Sequence, residues 1–138
     1  MVKEYNNFEI VYKGAKKDDF VWDLPFLKIK NEILGKDFVA NLNFIKNEEA
    51  KNLNVQNRNK DYYPNVLTFP LDDKCGEIYI CKSVAKSQYK DFDMSYKNYI
   101  IFLFIHGCLH LKGTHHDTTE NEKNMVRLEY EFLGKYKR

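Results

Sequence analysis

A chain of 138 residues that is 43% hydrophobic and 30% charged is long enough to bury one core and too apolar to be disordered. Its net charge of +2 spreads no global field toward nucleic acid, so any RNA site has to be a local groove. Three cysteines without a CxxC pair argue against a disulfide framework and for a reducing, cytoplasmic compartment; no signal-peptide core opens the sequence, and the apolar run 99–105 is too short to span a membrane.

No repeat, low-complexity tract or Pro/Gly/Ser linker divides the chain, so residues 1–138 are expected to form a single domain. Residues 8–13 (FEIVYK) alternate as a first strand. From 18 to 34 the pattern is mostly helical, with Pro25 at a helix start or kink and Gly35 suited to the position after the last turn. Residues 37–45 (DFVANLNFI) read as a second strand with Phe38, Ala40, Leu42 and Phe44 on one face. Asn47 is placed to cap a short helix with acidic residues in its first turn. Residues 65–69 and 76–81 read as two more strands joined by a turn, and 83–91 as a short helix. Ser95 caps a long apolar helix ending near Lys112; a last helix, 118–133, sets Met125, Leu128, Phe132 and Leu133 at helical spacing. The order predicts an α+β fold: a small mixed four-stranded sheet packed by about five helices, one of them a zincin-like metal helix.

That helix leads into FIHGCLHLKGTHHD, residues 104–117, which holds all four histidines. His106 and His110 are four apart, so one helix face presents both imidazoles. Gly113 is where the helix should end and the chain turn back through a left-handed conformation, bringing His116 toward the first two. The pattern H-x-x-x-H-x-x-G-x-x-H has the ligand spacing of the metzincin proteases, and three imidazoles on Zn²⁺ leave a fourth position open. The protease motif needs a glutamate after the first histidine as general base. Here Gly107 stands there, so peptide hydrolysis by that route is not expected. Cys108, about 200° from each helical histidine, should face the core.

The other dense stretch is NRNKDYYPNVLTFP, residues 57–70. Taken alone, Arg58 there reads as a surface charge and Lys60–Asp61 as a solvated turn. Together the two stretches resemble the YbeY endoribonucleases. HGCLHLKG (106–113) follows that family's HGxLHLxG without a gap, RNKD (58–61) its R-x-K-D turn, NVLTFP (65–70) its D/N-V-L-S-F-P strand, and GEIYIC (76–81) its G-D-I-x-I strand. The resemblance runs in order from about residue 37 to 134.

It implies a metal-dependent endoribonuclease preferring single strands, acting in maturation of the 16S rRNA 3′ end and in ribosome quality control. Single-stranded RNA and the small ribosomal subunit would be the partners; one zinc ion per chain would be bound by His106, His110 and His116, with no small-molecule cofactor. Arg58 would be the functional arginine, gripping a phosphate with its planar fork, and Lys60 a second, less specific contact. RNA would lie between the histidine helix and the strand 65–69, with Tyr62 and Tyr63 as stacking candidates. The sequence departs from the family pattern where His115 replaces the usual Asp before the third histidine; Gly113 sets a register that favours His116 as the ligand, with His115 its competitor. Thr114 and a shifted Pro64 are further departures. A zinc hydrolase of another class and a non-catalytic, zinc-stabilised ribosome-associated module are the alternatives.

Overall fold

The computed structural model, which describes residues 1–113 and 118–138, opens on a hairpin that the alternation pattern does not announce. Strand β1 (Val2–Tyr5) pairs antiparallel with β2 (Phe8–Tyr12) across Asn6–Asn7, and Asn7 takes the left-handed conformation that asparagine tolerates (φ 61°). The sheet therefore has five strands rather than the predicted four. Val2, Lys3 and Glu4 are exposed, so β1 has no buried face to print a period-two signature.

A single 3₁₀ turn (Phe20–Asp23) and helix α1 (Phe26–Ile33) occupy the stretch predicted as mostly helical, with Pro25 at the break and Gly35 beyond the last turn at φ 96°. Strand β3 (Val39–Ile45) buries Ala40, Leu42 and Phe44, as the alternation requires. Helix α2 (Asn47–Arg58) begins at its predicted cap, so that Lys46 takes the capping position one residue earlier. The Asn47 side chain accepts instead from Cys81 Sγ (3.0 Å) and Ser83, which fastens it to the start of helix α3 (Lys82–Gln88). Between α2 and α3 lie β4 (Val66–Asp72) and β5 (Cys75–Cys81), joined by the Asp73–Lys74 turn. A 3₁₀ turn (Tyr89–Phe92) follows α3. In helix α4 (Tyr96–Lys112) Ser95 accepts from the Asn98 N–H, and Gly113 ends the helix at φ 102°. Helix α5 (Thr119–Tyr136) is capped by Thr118 and runs three residues beyond its predicted end.

The strand order is β1-β2-β3-β5-β4, with β2, β3 and β5 parallel and an antiparallel strand on each edge. Phe8, Ile10, Ala40, Leu42, Phe44, Ile78 and Ile80 form the face against α1 and α4, and ten residues of α4 are buried. Ile45 and Cys81, alternating with that face, pack on the other side against Ala50 of α2 and Val84 of α3. Two glycines let α4 sit close to β5. A Cβ on Gly76 would lie 2.6 Å from Leu111 Cδ2, and one on Gly107 3.0 Å from Ile78 Cγ2. Among the described residues no helix is long and apolar enough to cross a membrane.

Candidate active site

The last three turns of α4 carry His106 and His110 on one side, their ring centroids 4.4 Å apart and their planes inclined at 61°. Both line a cavity of about 250 Å³ whose other walls are Val66, Leu67 and Thr68 of β4 and Arg58, the last residue of α2. Arg58 and the histidines, nearly fifty positions apart in the chain, thus share one small concavity between α4 and β4.

Local sequence explains the placement of Arg58. Asn59 adopts the left-handed conformation (φ 53°), ending α2 immediately after the arginine. The fully buried Asn54 then ties the following loop back to the helix, its Nδ2 donating to the Tyr62 carbonyl at 3.3 Å and its backbone carbonyl accepting from the Lys60 N–H at 3.3 Å. At the far end of the loop Asn65 Oδ1 accepts from the Val66 N–H (2.7 Å), and its backbone carbonyl accepts from the Cys81 N–H (2.9 Å). Both loop ends are fixed, so α2 and β4 hold a defined separation.

Of the other residues singled out in this loop, Lys60 is exposed and does not line the cavity. Tyr62 sits beside the arginine, its hydroxyl accepting from Arg58 Nη1 at 3.4 Å. Tyr63 turns to the other end of α2, where its hydroxyl donates to Glu48 (2.8 Å) and Lys51 Nζ lies 5.1 Å from its ring centre. Glu48 and Arg58 are ten helical positions apart, about 15 Å at 1.5 Å per residue, so the two tyrosines serve different places.

Glu129 of α5 is a site residue that the sequence reading missed. It is 4% exposed, and its Oε1 accepts from His106 Nδ1 at 2.7 Å. A carboxylate only accepts, so Nδ1 carries the proton and the ring's lone pair belongs to Nε2. The signal was available: Glu129 lies midway between the buried Met125 and Leu133 at i, i+4, i+8, and a carboxylate in an apolar stripe needs a partner.

Cys108 is fully buried, as its angle on the helix predicts, and burial pushes its thiol well above the ordinary range. Gly107 faces Ile78, so the position that holds the base in the protease motif is directed at the sheet. Among the described residues no three His, Cys, Asp or Glu side chains gather as a metal cluster; His106 and His110 contribute two imidazoles. The expected third ligand His116, its competitor His115 and neighbouring Asp117 lie outside the described residues. Two imidazoles on one face, one of them hydrogen-bonded to a buried carboxylate, could contribute two of the ligands and one supporting partner of a divalent metal.

Comparison with known proteins bears on the same residues. A sequence model described as Endoribonuclease YbeY matches residues 20–137. An Endoribonuclease YbeY of Ureaplasma urealyticum is 36% identical over 73% of this chain and 69% of its own length, and one of Mesoplasma florum is 33% identical over 96% and 78%. A solution structure of a Thermotoga maritima protein superposes with a TM-score of 0.63 at 28% identity, covering 92% of this chain and 88% of that one. The chain belongs to the Endoribonuclease YbeY family.

Proposed function

We propose that this chain is a metal-dependent endoribonuclease that cuts single-stranded RNA during maturation of ribosomal RNA, at the 3′ end of 16S rRNA in the cytoplasm, in association with the small ribosomal subunit. The observation that carries the reading is the cavity that sets Arg58 beside His106 and His110. A guanidinium facing two imidazoles suits a phosphodiester, because its planar fork matches phosphate oxygens in a way no apolar or amide substrate uses.

His106 and His110, with His116 as the third ligand, would hold one zinc ion, and His115 serves as a supporting group. When bound, the ion supplies Lewis-acid polarisation of a phosphate oxygen. Arg58 holds the phosphate and offsets the negative charge that grows on its non-bridging oxygens. Glu129 fixes the ring of His106. Val66 and Leu67 wall the cavity with apolar surface, which strengthens the grip of Arg58. Lys60, exposed outside the cavity, acts on the approaching strand rather than on the scissile phosphate. Peptide hydrolysis is disfavoured, since position 107 offers no base and faces Ile78.

The test combines metal content with cleavage of an unstructured RNA, with and without chelator, for proteins purified in parallel. His110→Ala is expected to lose metal and cutting together. Arg58→Glu is expected to retain metal and lose cutting; full cutting by that variant would refute the role of Arg58. Metal retained by His116→Ala and lost by His115→Ala would exchange the third ligand.

A further inference from the structure

A second cavity, of about 340 Å³, adjoins the first and shares His106 and Val66 with it. It is aromatic where the first is cationic. Tyr99 and Phe102 of α4 line it, with Phe92 on one side and Val126 and Tyr130 of α5 on the other. Phe92, Val126 and Tyr130 are 43%, 42% and 48% exposed, an unusual concentration of large apolar side chains in solvent. The rings support one another: Phe92 stacks on Tyr99 (5.0 Å, 26°), Tyr99 on Phe102 (6.3 Å, 13°), and Tyr130 leans on Phe102 (5.2 Å, 52°).

The polar groups of this cavity are directed at one another. Asn65 Nδ2 donates to Gln88 Oε1 (3.1 Å) and the Tyr99 hydroxyl (3.2 Å), and that hydroxyl donates to the same Gln88 oxygen (3.2 Å). Glu129, the one carboxylate among the described lining residues, is bonded to His106. The cavity therefore offers flat apolar faces, with no lysine or arginine among its described lining residues.

We propose that this cavity receives one unpaired base of the RNA strand whose phosphate lies at Arg58, holding it by stacking on Phe92 and Tyr130 rather than by reading its edge. The inference rests on the reading of the first cavity as the cutting site. Continuity between the two selects the occupant: a nucleotide has a charged phosphate and a flat apolar base joined by a short sugar, and the paired cavities present a cationic pocket beside an aromatic one. Stacking tolerates every base, so a modest base preference follows. A base held in a duplex cannot enter, which gives a physical basis for single-strand preference. Phe92 and Tyr130 thus take the stacking role that the sequence suggested for Tyr62 and Tyr63.

The test measures fluorescence anisotropy of labelled, unstructured oligoribonucleotides in the presence of chelator, together with cutting after metal is restored. Phe92→Ala and Tyr130→Ala are expected to weaken binding about 5- to 150-fold, the span that stacking on one aromatic supports. Tyr130→Phe should keep wild-type affinity, and so should Leu71→Ser, a control at an exposed apolar residue (59%) outside both cavities. In a series of oligonucleotides each lacking one base, wild-type affinity should drop at one position at a fixed offset from the cut, and Tyr130→Ala should erase that drop. If wild-type protein cuts and both alanine variants bind and cut as it does, the base pocket is refuted and the cutting site stands. If wild-type protein neither binds nor cuts, both readings fall. A dimer seen by light scattering that the alanine variants dissolve, with RNA affinity unchanged, would assign the surface to a second copy of the chain and overturn the proposal.

Discussion

Replacing Gly107 with alanine sets two effects of similar size against each other. Alanine is the better helix former by about 0.8–1.0 kcal/mol, and position 107 lies inside α4. The new Cβ, however, would lie 3.0, 3.1 and 3.2 Å from Cγ2, Cδ1 and Cγ1 of Ile78, against an optimum of about 3.5–4.0 Å between carbons. Ile78 is fully buried on β5, between β3 and β4, so any shift of its side chain must be taken up by packed neighbours. Overpacking of this kind costs about 1–3 kcal/mol, so Gly107→Ala should be net destabilising by up to about 2 kcal/mol once the propensity gain of about 1 kcal/mol is subtracted. Ile78→Ala alone should cost about 2–5 kcal/mol through the cavity it leaves. With Ile78 truncated the clash is gone, and Gly107→Ala should become stabilising by up to about 1 kcal/mol. Denaturant midpoints of the four proteins give the coupling energy, expected to exceed about 1 kcal/mol. Effects that add within about 0.5 kcal/mol would refute the reasoning, because the helix would then not be seated on Ile78 as described.

Three further predictions concern buried or paired charges. Glu129→Leu leaves His106 Nδ1 without its carboxylate and should weaken metal binding about 10- to 100-fold in competition with a chromogenic chelator; an unchanged affinity would remove its orienting role. Burial holds the ammonium of fully buried Lys30 below the ordinary lysine range, against the opposing pull of Cys108 and Asp37, so the unfolded chain binds the extra proton and wild-type stability rises with pH through that window. Lys30→Met should therefore be the more stable protein at neutral pH, and its lead should shrink toward pH ~10; a lead independent of pH would contradict this. Glu32 is held below the ordinary carboxylate range by hydrogen bonds from Lys135 (2.6 Å) and Tyr136 (2.7 Å), whose own hydroxyl is pushed up to about 12. That contribution is present above the ordinary carboxylate pKa and lost as pH falls through the folded value. Because Lys135 is exposed, Glu32→Gln should lose less than about 1 kcal/mol at neutral pH and converge with wild type in acid; an equal gap at both ends would rule the pairing out.

The parts of the fold that were legible in sequence are those in which local chemistry and tertiary burial agree. Helix α4 has a serine cap, a continuous apolar run and a terminal glycine, and its bounds follow from these alone. Strand β3 shows its buried face because every second residue is apolar. Strand β1 shows nothing, because an edge strand exposed on both faces carries no period and is held by pairing with β2 and by the amino terminus bonding Tyr12 O at 2.6 Å. In the site, the histidine pair is local and was legible. Arg58 was legible only through the family resemblance, since a cation ending a polar helix looks the same whether it faces solvent or a cavity. Tyr62 and Tyr63 are adjacent in sequence, and only the fold sends one to Arg58 and the other to Glu48.

Gly107 also explains why the chemistry is divided among several elements. On a helix, residue 110 lies about 40° from residue 106, whereas residue 107 lies about 100° away. In α4 the first pair faces the cavity while Gly107 and Leu111 meet β5, so the face that bears the imidazoles and the face that seats the helix are separate. A glutamate at 107 would place a carboxylate against Ile78, a clash compounded by an unpaired buried charge. A helix set this close to its sheet cannot carry the base that the protease motif carries. In the proposed site, charge complementary to a phosphate would come from another element, the arginine at the end of α2. The same close seating brings β4 alongside α4, and β4 walls both the cavity of Arg58 and the aromatic one beside it. One small residue therefore excludes the carboxylate and lets the helix sit where the proposed phosphate and base sites would adjoin.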